Sequence, residues 1–360
     1  MVKTHTHRAV ALFSGGLDST LSIIAVLRQG VKVTALKFLT PFDHDIPDSP
    51  LSLTELLSCA EKFGFDVKIC EISNQFLEMI KKPKFGYGKN MNPCIDCRIL
   101  MLKKAGDFLK EIDADFIVSG EVIGQRPMSQ RKDVLYLIDK ESGIIDYVLR
   151  PLSAKLLKIT VPESKEIIKR DLLYDFRGRS RKPQMALAKE FGLTDYPAPA
   201  GGCLLTEPNY ARRLRDLLAY DPDCDCDDLS LLKIGRHFRF SPACKIVVGR
   251  NKAENEKIWA MSAKGCLLKV ENYGSPTVLV TGEITDEAVR VAASLCARYS
   301  DAKNLSGVRV TVITEGTISR LRAAPLADEM VKTLRIELKS SNPEITVTRA
   351  NKPIALQSLP

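Results

Sequence analysis

The most constraining feature of this chain is Ser14-Gly15-Gly16-Leu17-Asp18-Ser19-Thr20. It follows the apolar run Ala9–Phe13 and precedes the helical pattern Leu21, Ile23, Ile24, Val26 and Leu27. An apolar strand that feeds a glycine turn and then a helix is a geometry for holding phosphate oxygens. The glycines allow close backbone approach, and the N–H groups of the first helical turn meet the anion at the positive end of the helix dipole. Ser14, Ser19 and Thr20 add hydroxyls. The loop lacks the Gly-Lys-Ser/Thr ending of a Walker A motif and the Gly-x-Gly-x-x-Gly of a dinucleotide fingerprint. An ordinary turn between strand and helix is the plain alternative.

Residues 8 to about 150 alternate strand and helix. Strands are expected at Ala9–Phe13, Val31–Phe38, Val67–Ile72 and Phe116–Ser119, and helices at Leu21–Gln29, Leu51–Phe65 and Asp96–Ile112. That order predicts an α/β fold with a parallel sheet and helices on both faces. Ligands of such sheets gather at the carboxyl ends of the strands. The glycine loop, Lys37–Leu39 with Thr40, and Gly120-Glu121 all fall at such ends. The glycine loop resembles that of the PP-loop ATP pyrophosphatases, which implies an adenosine near Lys37–Leu39, with Phe38 at the centre of that stretch, and near Gly120.

Prolines punctuate the basic stretch from 151 to 230, with short helices expected at Ser164–Tyr174 and Pro183–Phe191. Asp221–Asp228 is an acidic run that reads as a linker. From 231 to 360 the pattern becomes short strands around two helices, an α+β arrangement. Three regions are therefore expected: 1–150, 151–230 and 231–360.

The formal charge of +9 suits a polyanionic partner. Arg177, Arg179, Arg181 and Lys182 cluster in a loop-like segment that can track a nucleic-acid backbone or simply form a solvated basic surface. No apolar stretch reaches the length of a membrane span, and Met1–Arg8 is polar, so a cytoplasmic location without membrane attachment is expected. The ten cysteines then point to thiol chemistry, metal binding or packing rather than disulfides.

Cys94 and Cys97 form a Cys-x-x-Cys at a helix start, where the dipole favours thiolate. Cys203 sits in Pro199-Ala200-Gly201-Gly202-Cys203, whose glycines let the thiol approach another group. Asp96 is either a proton acceptor or a helix cap. Cys59, Cys70, Cys244, Cys266 and Cys296 lie among apolar residues and read as core. Cys224 and Cys226 read as surface loop.

The glycine loop resembles the Ser-Gly-Gly-x-Asp-Ser signature of the PP-loop ATP pyrophosphatases, whose fold is of the adenine nucleotide alpha hydrolase (HUP) type. The resemblance implies that Ser14, Gly15, Gly16, Ser19 and Thr20 cradle pyrophosphate and that Asp18 places Mg²⁺ or fixes the loop. Asn92-Pro93-Cys94-Ile95-Asp96-Cys97 and Cys203 resemble the cysteine regions of the tRNA thiouridylases within that family. Such enzymes use either a catalytic cysteine persulfide with a second cysteine, or three cysteines on a [4Fe-4S] cluster. Three cysteines, Cys94, Cys97 and Cys203, favour the cluster, which leaves one iron open. The resemblance also places nucleotide or uridine contacts at Gly120, Glu121, Gln125 and Arg126.

Gly249-Arg250-Asn251-Lys252-Ala253-Glu254-Asn255 resembles the Gly-Arg-Asn-x-x-x-Asn signature of the NFACT RNA-binding module. The similarity continues through Leu268–Val270, Gly274–Pro276 and Ala297–Lys303 to Ile345–Val347. It implies phosphate contacts from Arg250 and Asn251, whose plain alternative is an Asn-capped helix with a surface arginine. Together the resemblances imply an ATP-dependent tRNA sulfurtransferase that uses ATP, Mg²⁺ and a [4Fe-4S] cluster. Its partners would be tRNA and a sulfur donor, either sulfide or a persulfide carrier protein. A PP-loop amidating ligase acting on a small molecule and a non-catalytic RNA-binding protein are the competing readings.

Overall fold

The computed structural model describes residues 6–42, 53–197 and 203–337. Its contacts divide the chain into two compact units, Met1–Gly235 and Arg236–Pro360. The basic stretch from 151 to 230 thus falls within the first unit.

The first unit is built on a parallel sheet of β1 (Arg8–Leu12), β2 (Lys32–Leu39), β3 (Asp66–Glu71), β4 (Phe116–Val118) and β5 (Val148–Leu149), in the order β3-β2-β1-β4-β5. Alternate residues of β1 serve two cores. Val10 and Leu12 join Leu36, Ile117 and Leu102 on one face, while Ala9 and Ala11 join Val33, Phe116 and Ile23 on the other. A strand buried on both faces must read as a continuous apolar run, as Ala9–Phe13 does. The strand order reverses between β1 and β4, and in such sheets ligands bind at that switch point, beyond the strands' carboxyl ends. The glycine loop leaves β1 there and Gly120 follows β4.

The helix after the loop spans Leu17–Leu27, starting four residues earlier than the apolar period suggested. The Cys-x-x-Cys helix spans Cys94–Glu111. The helices Ser73–Lys81, Lys132–Ser142 and Pro208–Tyr220 were not expected. One expected helix is absent: Ser164–Tyr174 is only the end of a short turn, Val161–Ser164, followed by the 3-10 turn Arg170–Leu172. Glu166 adopts a left-handed φ of 56°, which breaks the helix. Burying Ile168 fully and pairing Arg170 with Glu163 at 2.5 Å organise the segment instead. The acidic run is ordered as well. Asp225 caps the helix Cys226–Leu231, and Cys224, expected at the surface, is buried.

The second unit is an antiparallel sheet of β6 (Arg236–Ser241), β7 (Cys244–Val248), β8 (Gly265–Val270), β9 (Val278–Gly282), β10 (Val308–Thr314) and β11 (Thr317–Ala323), ordered β11-β10-β8-β9-β7-β6. The helix Asp286–Arg298 lays Ala288, Ala292, Leu295 and Cys296 against Leu268, Val270, Val310 and Val312 on one sheet face. Cys244, Cys266 and Cys296 are buried, as their apolar neighbours suggested, while Cys59 and Cys70 are half-buried. The segment around Ile345–Val347 lies outside the described residues. No helix among the described residues is long and apolar enough to cross a membrane.

Candidate functional site

The glycine loop is held by its own hydroxyls. The Gly16 amide donates to Ser14 Oγ at 3.2 Å, and Ser14 Oγ lies 3.1 Å from Ser19 Oγ. Ser19 and Thr20 hydroxyls both donate to the Gly16 carbonyl, at 2.8 and 3.1 Å. These hydroxyls, expected to face a ligand, here set the shape of the turn. Gly15 sits at a φ of 79°, a conformation costly for residues with a side chain. The first-turn amides of Leu17, Asp18 and Ser19 have no acceptor within a helix, which leaves them to bind an anion.

Asp18 projects from this turn. Its Oδ2 accepts from Gln125 Nε2 at 2.9 Å, while Oδ1 is buried with no hydrogen-bond partner among the described residues. A buried carboxylate oxygen without a donor fits a cation such as Mg²⁺ beside phosphate. Lys37 on β2 reaches toward the Ser14 carbonyl with its Nζ at 3.4 Å, adding positive charge at the loop. Phe38, expected near the adenosine, is buried in the core, so only its main chain could serve a nucleotide. Gly120 packs so tightly that a Cβ there would lie 2.7 Å from both Cα and N of Ser19. Glycine at this position is thus what allows β4 and the first turn to meet.

Glu121 is buried. Its Oε2 accepts from Arg150 Nε at 3.0 Å and Ser119 Oγ at 3.1 Å, while its Oε1 has no hydrogen-bond partner among the described residues and lies 3.6 Å from Arg98 Nε. Arg150 also grips Asp139 through two bonds of 2.9 and 2.7 Å. Burial alone would push both carboxyls up. At Glu121 the charges of Arg150 and Arg98 more than undo that, and its carboxyl stays below the usual range. At Asp139 burial wins over Arg150. The network ties β5 and the end of β4 to Arg98, the residue after Cys97.

The segment 120–130 reaches the glycine loop. Gln125 donates to Asp18, and the charge of Arg126 partly offsets the effect of burial on the Cys94 thiol. The segment is closed by Gly124 N to Gln130 O at 2.8 Å and Arg126 N to Gln130 Oε1 at 3.0 Å. The basic stretch joins the same place: Ile123 bridges to Arg177, and Gly178 N donates to Ile123 O at 2.7 Å. Arg177, Arg179 and Lys182 are exposed and Arg181 half-buried at the start of the helix Lys182–Glu190.

Cys94 is the first residue of its helix, after Pro93. The expected lowering of its pKa does not hold: burial pushes the thiol up, and Arg126, Arg98, Asn92 and its own amide only partly offset this. Asp96 accepts from the amides of Lys84 and Phe85 at 2.8 and 3.1 Å, so it ties down the preceding loop. The chain around Cys203 is fastened to the segment before the pair. Met91 N donates to Leu205 O at 3.1 Å, and Asn90 Nδ2 to Thr206 O at 2.7 Å. Cys97 and Cys203 are both half-buried against one core cluster. Gly201 and Gly202 lie outside the described residues. Among the described residues no three His, Cys, Asp or Glu side chains form a group that could hold a metal ion.

In the second unit the signature residues are engaged by the fold. Asn251 Oδ1 accepts from Glu254 N at 3.0 Å and caps the helix Lys252–Ala260. Arg250 Nε donates to Glu254 Oε1 at 2.8 Å, and the Arg250 amide to Oε2 at 2.9 Å. Asn255 Oδ1 accepts from Thr277 N at 2.9 Å, and a Cβ on Gly249 would lie 2.0 Å from that oxygen. A Cβ on Gly274 would likewise strike the Asp301 carboxylate.

Arg98 and Arg150 were missed from sequence. Each is a single basic residue in or beside an ordinary helix or strand, with no local pattern to mark it.

Comparison with known proteins divides the chain in the same way. Residues 4–167 match the family model described as thiamine biosynthesis protein (ThiI), and residues 235–335 match that of the NFACT protein RNA binding domain. A probable tRNA sulfurtransferase of Thermococcus kodakarensis is 29% identical over 150 residues, covering 40% of this chain and 36% of that protein. A tRNA-specific 2-thiouridylase MnmA of Oleidesulfovibrio alaskensis is 31% identical over 128 residues, covering 34% of this chain and 35% of that protein. The chain spans about a third of the length of these relatives. A solved 4-thiouridine synthetase–RNA complex with bound ATP aligns with a TM-score of 0.34 at 20% identity, covering 52% of each chain.

Proposed function

We propose that this chain, a ThiI-type PP-loop unit joined to an NFACT-type RNA-binding unit, is an ATP-dependent tRNA sulfurtransferase. The supporting observation is the segment 120–130, which touches Asp18 of the phosphate loop through Gln125 and carries Arg126, whose charge acts on the Cys94 thiol. Activation of a substrate oxygen and delivery of sulfur can then share one crevice.

In this reading the first-turn amides and Gly15-Gly16 hold the phosphates of ATP, Asp18 holds Mg²⁺, and Lys37 adds charge. A uridine carbonyl oxygen, C2–O or C4–O, attacks the α-phosphorus. An O–P bond forms and pyrophosphate leaves. Sulfur then adds to the uridine carbon, and AMP departs with the former carbonyl oxygen. Holding both reactants together and supplying a good leaving group account for the rate gain. Cys94, Cys97 and Cys203 would hold a [4Fe-4S] cluster, which when bound supplies an open iron for hydrosulfide. The second route uses Cys97 and Cys203 alone: a persulfide on one gives up its outer sulfur, and the other closes a disulfide that an external thiol must reduce. The exposed Arg177, Arg179 and Lys182, with Arg181, would hold the tRNA backbone. Asn251 would support the fold of its unit, and Arg250, paired with Glu254 through Nε and Nη2, would have its remaining guanidinium donors for phosphate.

Two experiments test this. Anaerobic reconstitution with iron and sulfide gives broad visible absorbance that Cys97→Ala abolishes. A colourless protein that still thiolates tRNA rejects the cluster in favour of the persulfide. Mass spectrometry of tRNA nucleosides from a deletion strain shows one thiouridine missing. An unchanged nucleoside profile would point to a small-molecule ligase.

A further inference from the structure

We propose that the exposed basic rows on β8, β10 and β11, on the sheet face away from the helix Asp286–Arg298, are where this unit holds the phosphate backbone of RNA. The inference rests on the tRNA-acting reading above and assigns the contact to a different place from the Gly-Arg-Asn turn.

The alternation of β10 puts Val308, Val310 and Val312 into the core and Arg309, Thr311 and Ile313 on the opposite face. Pairing places Lys269, Thr311 and Arg320 in one row across three strands, and Arg309 directly opposite Arg322 in the next. Lys269, Arg309, Arg320 and Arg322 are all exposed, with Arg309 and Arg320 side chains 70% and 60% accessible. Like charges directly opposite in an antiparallel pair destabilise a sheet. The fold gains nothing from the Arg309–Arg322 pair, and a polyanion would relieve it. Charge on an edge strand can also serve to block aggregation, but β10 is interior, so that need does not account for Arg309.

One acid stands in this field. Glu271 accepts from Arg320 Nε and Thr311 Oγ1, both at 2.7 Å, and lies 3.8 Å from Arg309 Nε. The hydrogen bonds from Thr311 and Arg320, with the charges of Arg320 and Arg309, hold its carboxyl below the usual glutamate range. Glu271 thus keeps the two arginines aligned and competes with phosphate for them. The turn residues expected to grip phosphate are, by contrast, already engaged by Glu254.

The test is RNA binding by the full chain, followed with labelled tRNA across a salt series. The triple variant Arg309→Gln, Arg320→Gln, Arg322→Gln should flatten the slope of log affinity against log salt by about two to three, near one per lost phosphate contact. Its urea midpoint should not fall. Glu271→Gln should bind tRNA more tightly than the parent chain. A purely structural role for Glu271 predicts a stability loss with no gain in binding. If the parent chain binds and both variants match it in affinity and slope, this inference is overturned while the tRNA reading stands. If the parent chain itself binds no tRNA at low salt, both fall.

Discussion

Two glycine turns in this chain look alike in sequence and differ in what their polar groups do. At Gly15-Gly16 and at Gly249 a strand ends, a glycine allows close approach, and a helix begins. In the second turn every signature side chain is engaged: Asn251 caps, Arg250 pairs with Glu254, and Asn255 fills the space that Gly249 leaves. In the first, the hydroxyls shape the turn, yet a buried Asp18 oxygen has no donor among the described residues, and first-turn amides are left for an anion. The pattern strand–glycine–helix therefore marks a close approach in both places. Only the state of the donors and acceptors separates a ligand cradle from a structural joint.

The contrast can be broken most forcefully at Asp18. Asp18→Asn should lower AMP formation from ATP by about 10²–10³-fold, the size typical of removing one preorganised electrostatic group, with tRNA affinity unchanged. AMP formation at the parent rate would remove the first turn from the chemistry.

The glycines come next. Gly249→Ala must displace Asn255 and should cost about 1–3 kcal/mol in urea unfolding of the second unit, leaving AMP formation intact. Gly120→Ala pushes against the backbone of Ser19, so it should impair ATP turnover as well as stability. Equal effects of both variants on AMP formation would erase the distinction. Asn251→Ala should lower stability by about 1 kcal/mol through loss of the cap, with tRNA binding unchanged. A loss of binding without a loss of stability would return that residue to the RNA interface.

The smallest effect concerns Cys94. Its thiol sits above the ordinary range because burial outweighs the nearby arginines. A thiol with a raised pKa stays protonated to higher pH, and only the thiolate is alkylated. In metal-free protein, alkylation of Cys94 should lag that of free cysteine near neutral pH and catch up only as the pH rises through the raised value. Arg126→Gln should slow it further. Rapid alkylation at neutral pH would mean that the helix start governs this thiol after all.

Much of the first unit was legible because a doubly buried parallel strand leaves an unbroken apolar run, as at Ala9–Phe13 and Phe116–Ser119. Helix ends and isolated helices were less legible. Leu17–Leu27 begins inside the glycine motif, where polar residues mask the period. Ser164–Tyr174 carries a helical composition that Glu166 and the Arg170–Glu163 pair override through tertiary contacts. Strand β11 went unseen because its residues are polar on an exposed edge. Its hairpin turn, Glu315-Gly316 with φ of 49° and 79°, was the available signal. At the candidate site the loop and the cysteines could be read locally. Gln125's bond to Asp18 and the Glu121–Arg150–Asp139 network join residues far apart in sequence, which no local spacing encodes.

The central claim is that the phosphate loop and the cysteines serve one reaction on tRNA. The most direct measurement incubates the full chain, reconstituted with iron and sulfide, with tRNA, ATP and both sulfide and a persulfide donor without oxygen, then counts AMP and thiouridine in the same sample. The account predicts thiouridine only when ATP is present, with AMP formed in step and both products lost in Asp18→Asn. AMP released without any thiouridine, or thiouridine formed without ATP, would contradict it.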